Sequence, residues 1–194
     1  MSSFVAHSLV GFMFSSQKSR TTVKESIVVA LFFIVLSLSP DIDYLINYFR
    51  GESMAIRYTH SIAYVFFIAL FSLLFRNFLL KDFFTGIPLF LFFLVPSSHL
   101  ILDYLVGVHG NPYLYPFSKE IFVSPIGILP SSGRIDVCNH YFWRNILIEL
   151  AIFMPLVILF TPKYRGMTSK NKILRLSLFC LFLLGIFIGF NLDR

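Results

Sequence analysis

The chain has 194 residues, of which 57% are hydrophobic and 13% charged, with a mean hydropathy of +0.78 and a net charge of +6. A soluble domain is about 45–50% apolar and about 25% charged, so this composition excludes an ordinary water-soluble fold. The 2 cysteines, Cys138 and Cys180, offer neither a disulfide framework nor a Cys-rich metal motif. In a chain of this kind the positive balance reads as membrane topology and lipid headgroup contact rather than nucleic-acid binding.

In chain order, residues 4–16 form a short apolar stretch whose basic residues follow it, the reverse of a secretory signal. Apolar segments then run over 27–38, 62–80, 83–106, 146–160 and 173–190. A hydrocarbon core about 30 Å thick takes about 20 helical residues. Segments 62–80, 83–106 and 173–190 reach that length directly, and 27–38 and 146–160 reach it with flanking residues. The expectation is an all-α polytopic membrane bundle of five spans, with residues 4–16 as a half-inserted or sixth helix. It forms a single membrane-embedded domain over 1–194. Between the third and fourth spans, residues 107–144 carry Pro112, Pro116, Pro125 and Pro130 with Gly107, Gly110, Gly127 and Gly133, a spacing that forbids a long helix. Tyr113, Tyr115, Phe117 and Phe122 are interleaved there, as suits a loop at the headgroup level.

Orientation follows from Lys and Arg. The richest cluster is Lys163, Arg165, Lys170, Lys172 and Arg175, which places the loop between the last two spans in the cytoplasm. Walking back along the chain, Arg76 and Lys81 fall inside, as do Lys18, Arg20 and Lys24, and the loops 40–59 and 107–144 fall outside.

On that topology all 5 histidines, His7, His60, His99, His109 and His140, come to the outer face. Asp41 and Asp43 end one span just after Pro40, His60 begins the next, and His99 and Asp103 close the one after. His99 and Asp103 are spaced i, i+4 and share one helical face, a reasonable half of a zinc-type site. Ionisable groups inside hydrocarbon are costly and are paired or functional; Asp103 and Glu149 are the residues most subject to that argument. Each feature alone has a plainer alternative: an interfacial side chain for a single histidine, a solvated loop start for Asp41 and Asp43, a hydrogen-bonded pair for His99 and Asp103, and pairing with Arg144 or a neighbouring helix for Glu149.

Taken in order, His7 with Gly11, then Pro40-Asp41-Ile42-Asp43, Arg57-Tyr58-Thr59-His60-Ser61, Ser98-His99-Leu100-Ile101-Leu102-Asp103 and Tyr115-Pro116-Phe117-Ser118, form a series. The series resembles the YdjM-like family of membrane-bound metal-dependent hydrolases, also described as LexA-binding inner-membrane hydrolases. The resemblance runs from His7 to about Ser124, so residues 1–124 form the family-like metal-site region and 125–194 the rest of the outer loop and two C-terminal spans. It implies a bacterial inner-membrane protein and a distant similarity to zinc-dependent phospholipase C and P1-type nucleases. By the same carry-over the metal ligands are His7, Asp41, Asp43, His60, His99 and Asp103. The chain departs from the family pattern at Ala55, where a further histidine is usual, and its arginine stands one place late, at Arg57.

The function that resemblance and residues imply together is phosphoester or lipid-linked hydrolysis by a metal-activated water, with zinc as first choice of cofactor and manganese as second. Asp41 or Asp43 coordinates the metal or takes the water's proton, and Arg57, with Arg144, binds phosphate charge. The expected partners are membrane lipids and the substrate, with no nucleic acid. Two rivals stand beside it. One is a non-catalytic scaffold with a degenerate metal site, which Ala55 favours. The other is a divalent-cation transporter, which the one-sided clustering and the absence of a repeat disfavour.

Overall fold

The computed structural model describes residues 4–16, 22–50, 57–108, 110–131, 137–161, 164 and 171–192, with Tyr48 by its backbone alone. Among the described residues there is no strand. The helices are α1 (Phe4–Ser15), α2 (Val23–Leu38), α3 (Ile42–Arg50), α4 (Ile62–Leu79), α5 (Leu91–Val106), α6 (His140–Phe160) and α7 (Lys172–Phe190), and a 3-10 turn at Ser39–Asp41 joins α2 to α3.

Local chemistry sets the boundaries. The side chains of Thr22, Ser61, Asn139 and Asn171 cap α2, α4, α6 and α7 by accepting from the backbone N–H of Glu25, Tyr64, Tyr141 and Leu174. Gly107, at φ 69°, ends α5 in the left-handed conformation that glycine adopts without strain.

Among the described residues, four stretches are long and apolar enough to cross a membrane: Val23–Asn47, Ile62–Leu79, His140–Phe160 and Lys172–Phe190. The first and fourth expected spans thus gain the flanking residues they needed. Segment 83–106 behaves differently. Its helix is the 16-residue α5, and residues 83–90 form turns in which Gly86 has φ 72° and Pro88 follows. The 12-residue α1 is likewise shorter than a span.

The outside of the bundle is apolar. α4 exposes Phe66, Phe67, Leu70, Phe71, Leu74 and Phe78, and α7 exposes Leu176, Phe179 and Phe187. In water such a surface would associate; in a bilayer it faces its proper solvent.

Close backbone approach fixes two helix pairs. A Cβ on Gly11 would lie 2.7 Å from the Phe33 carbonyl oxygen, so only glycine lets α1 pack this closely on α2. A Cβ on Gly185 would lie 2.8 Å from Ile152 Cγ1, which sets α7 against α6. Ala6, Val10, Leu102, Val106, Leu129, Ile148, Ile152 and Phe153 form one apolar core; Val29, Phe33, Leu36, Phe84, Ile87, Leu91, Phe92 and Val95 form the other. Residues 110–131 fold back over one end of the bundle. Ile128 N–H donates to the Leu105 carbonyl at 2.7 Å, and Ile62 N–H donates to the Tyr113 carbonyl at 2.9 Å.

Candidate metal centre

Helix direction brings the chemistry together. The start of α1, the end of α2, the start of α4 and the end of α5 all meet at the end of the bundle that residues 110–131 cover. There Asp41, His60, His99 and Asp103 are all buried, the two histidines completely.

One donor atom from each of these four lies within 4.8 Å of every other. His60 Nε2 stands 3.1 Å from His99 Nε2, 3.4 Å from Asp41 Oδ1 and 3.3 Å from Asp103 Oδ2. His99 Nε2 is 3.5 Å from Asp41 Oδ1 and 3.8 Å from Asp103 Oδ2. A tetrahedron with bonds of about 2.0–2.1 Å has corners about 3.3–3.4 Å apart. These five separations scatter around that edge. Two carboxylates and two imidazoles are also the donor chemistry that borderline divalent ions take. Asp41 keeps Oδ2 buried with no hydrogen bond, so its acceptor capacity is not used up by the protein. The residues therefore fit a divalent metal.

Neighbouring groups aim the imidazoles. His99 Nδ1 lies 2.8 Å from the Ser37 carbonyl oxygen. A carbonyl only accepts, so Nδ1 carries the proton and Nε2 presents its lone pair to the centre. Ser37 also donates its hydroxyl to the His7 carbonyl at 3.0 Å, tying α2 to α1. His60 Nδ1 faces Asp43 Oδ2 at 3.6 Å and Thr59 Oγ1 at 3.5 Å, while Thr59 donates to the Pro40 carbonyl at 2.6 Å and pins the turn before α4 onto the turn after α2.

Burial works to lower the His60 pKa, but Asp103, Asp41 and Asp43 outweigh it and hold the imidazole raised, to about 9. Arg57 completes the charge pattern. Its guanidinium donates to Asp41 Oδ1 at 2.6 Å and to Asp103 Oδ2 at 3.1 Å, and it also contacts His60 Nε2.

The six residues expected as ligands all come to this place, in different positions. Asp41, His60, His99 and Asp103 make up the four-donor set. Asp43 stands beside it, accepting from Tyr44 N–H at 2.6 Å and facing the far side of the His60 ring. His7 stacks on His99, with ring centroids 3.7 Å apart, and its Nε2 is 3.5 Å from Asp103 Oδ1, the carboxylate oxygen turned away from the four. Arg144 donates to Asn145 Oδ1 and lies over the Tyr141 ring. His140 is exposed at the start of α6, and Glu149 is wholly buried within it. His109 and Ala55 lie outside the described residues.

Sequence reasoning missed Ser37 and Thr59. The available signals were a polar residue inside the apolar run of α2 and a hydroxyl next to His60.

Fold and centre together define an integral membrane helix bundle that buries a four-donor set able to hold a divalent metal. The chain belongs to the family described as YdjM inner membrane protein, which matches residues 1–193 and so takes in the C-terminal helices as well as the motif-bearing region. No curated protein and no solved structure shows significant similarity to it.

Proposed function

We propose that the chain is a metal-dependent hydrolase of the inner membrane, acting on a phosphoester of a lipid or lipid-linked substrate. The observation that carries this reading is the set of near-tetrahedral separations among Asp41, His60, His99 and Asp103. Zinc is the first choice of ion and manganese the second. When bound there, the ion supplies a water acidified toward pH 7 and polarises a phosphoryl oxygen.

The chain's own groups do the rest. Asp43 is the more exposed of the centre's carboxylates, with 14% of its side chain accessible against 3% for Asp41 and 1% for Asp103. Its Oδ2 is buried behind the His60 ring, 3.6 Å from Nδ1, and makes no hydrogen bond, so the carboxylate keeps capacity to take a proton from water. Arg57, 11% accessible, brings a planar fork of donors to phosphate oxygens. Leu45 and Phe49 of α3, the helix that carries Asp43, and Leu114, Phe117 and Ile121 of the segment after α5 expose apolar surface that favours a substrate held in lipid.

The basic residues Lys24, Arg76, Lys81, Lys172 and Arg175 belong to the opposite end of the bundle: they stand in the first turns of α2 and α7, in the last turn of α4 or just after it. The positive-inside rule supports a cytoplasmic position for that end and an extracytoplasmic centre. A second reading, a structural metal centre, draws on the same geometry, because four protein donors close a tetrahedron and catalytic sites keep a position open.

Turnover separates the two readings. Metal-loaded protein in mixed micelles is given a phosphodiester lipid beside Asp43→Asn and His60→Ala variants. The hydrolase reading expects release of the headgroup phosphate, abolished by His60→Ala and reduced about 100-fold or more by Asp43→Asn, as for loss of a general base. Fully loaded protein without turnover would leave the structural centre as the better account.

A further inference from the structure

The Arg57 guanidinium donates to two of the four atoms that define the centre, Asp41 Oδ1 at 2.6 Å and Asp103 Oδ2 at 3.1 Å, and it contacts a third, His60 Nε2. Those atoms point at one another, and a divalent ion would need the same lone pairs. A guanidinium nitrogen that touches both Asp41 Oδ1 and His60 Nε2 takes space an ion among those atoms would occupy, so the two cations compete for it. Arg57 also stands at the entrance: its side chain is 11% accessible, whereas those of His60, Asp41 and Asp103 are 0%, 3% and 1%. Two carboxylates this deep, Asp41 and Asp103, require a compensating cation, and the chain brings one of its own.

We propose that Arg57 is a built-in counter-cation of the centre, and that a divalent ion enters by displacing its guanidinium from Asp41, Asp103 and His60. The proposal rests on the metal-centre reading and adds a coupling to it. Before displacement Arg57 satisfies the carboxylates and guards the site against loss of structure. After displacement its fork of donors is free at the mouth, where an anionic substrate arrives. Metal loading and readiness to bind phosphate thus become one event. The arginine that stands one place late in the family pattern is this residue, and its donors reach the site.

Affinity gives the sign. A residue that merely supports the centre weakens metal binding when removed; a competitor strengthens it. Chelator-stripped wild type, Arg57→Ala and Arg57→Lys are titrated with Zn²⁺ and with Mn²⁺ against a chromophoric chelator, with helicity followed in parallel. Arg57→Ala is expected to bind about ten- to hundredfold more tightly, the scale of losing charge-assisted hydrogen bonds to a competitor. Arg57→Lys, which keeps the charge but cannot fork across Asp41 and Asp103, is expected to fall between.

If Arg57→Ala folds only once metal is added, that too supports the proposal, since the ion then replaces the missing cation. If it folds under neither condition, Arg57→Lys decides: tighter binding than wild type supports the proposal, and equal or weaker binding overturns it. In the wild type, phenylglyoxal should modify Arg57 faster after metal loading, as mapped by mass spectrometry; an unchanged or slower rate overturns it. Metal bound by the wild type with equal or lower affinity in a folded Arg57→Ala overturns the counter-cation alone. No metal bound by any of the three proteins overturns the metal-centre reading beneath it.

Discussion

Helices α2 and α5 each have two ends of opposite character, and the contrast shows how the molecule divides its labour. Toward one end, Phe33 of α2 and Phe92 of α5 pack with Phe32 and Phe84, ring centroids 4.7–6.1 Å apart, in a dry aromatic cluster. Toward the other, a few residues on, the same helices deliver Ser37, Asp41, His99 and Asp103 to a buried polar centre. In a membrane the hydrophobic effect does little to press helices together, so close packing has to supply the rigidity. The aromatic end supplies that packing, and the polar end uses it to hold four donors at fixed separations. Each end can be broken separately.

The largest expected effect is at the polar end. His60→Ala or His99→Ala removes one of four donors and should lower metal affinity by more than about 100-fold, beyond the usual 10–100-fold cost of losing an outer partner. Equilibrium dialysis with zinc checks it. Next comes Asp43→Asn, which keeps shape but removes the charge facing His60 Nδ1; the cost in metal affinity is about 10–100-fold. The aromatic end should behave in the opposite way. Phe92→Ala leaves a cavity beside Phe33 and Phe84 and should destabilise the protein by about 3–5 kcal/mol in denaturant titration while metal stoichiometry stays at the wild-type value. Loss of metal in a folded Phe92→Ala would show that the two ends are not separable.

The smallest effect is graded by pH. With its pKa raised to about 9 by three carboxylates acting against burial, His60 holds a proton at neutral pH that a metal must expel. Zinc affinity should rise with pH by up to about tenfold per unit until about pH 9, and zinc addition should release a proton into a weakly buffered solution. For chelator-treated protein the sign is reversed. The folded pKa lies above the ordinary 6.5, so the His60 contribution to stability is fully present below pH 6.5 and lost as pH rises through about 9. Thermal melts from pH 6 to pH 10 in chelator measure it.

Much of this was legible in the sequence. Composition alone required a membrane bundle, and the placing of histidines and aspartates at alternating span ends predicted their convergence, because successive spans run in opposite directions. The division of roles was not legible. Spacing cannot tell that Asp43 faces the back of His60 whereas Asp41 faces its front, or that His7 stacks on His99 and meets the outer oxygen of Asp103. Those are matters of rotamer and helix rotation. Segment 83–106 shows the opposite failure: its hydropathy is continuous, yet Gly86 and Pro88 keep its first eight residues out of the helix. The lock that Arg57 places on the centre depends on a turn folded back by the Thr59 bond to Pro40, a contact between residues 19 positions apart.

All of this turns on whether Asp41, His60, His99 and Asp103 hold one metal ion together. X-ray absorption fine structure on the zinc-loaded protein reads that first coordination sphere directly. Two imidazole nitrogens with carboxylate oxygens at about 2.0–2.2 Å are expected, and one imidazole fewer in His99→Ala. A spectrum with sulfur neighbours, or one unchanged by His99→Ala, would contradict it.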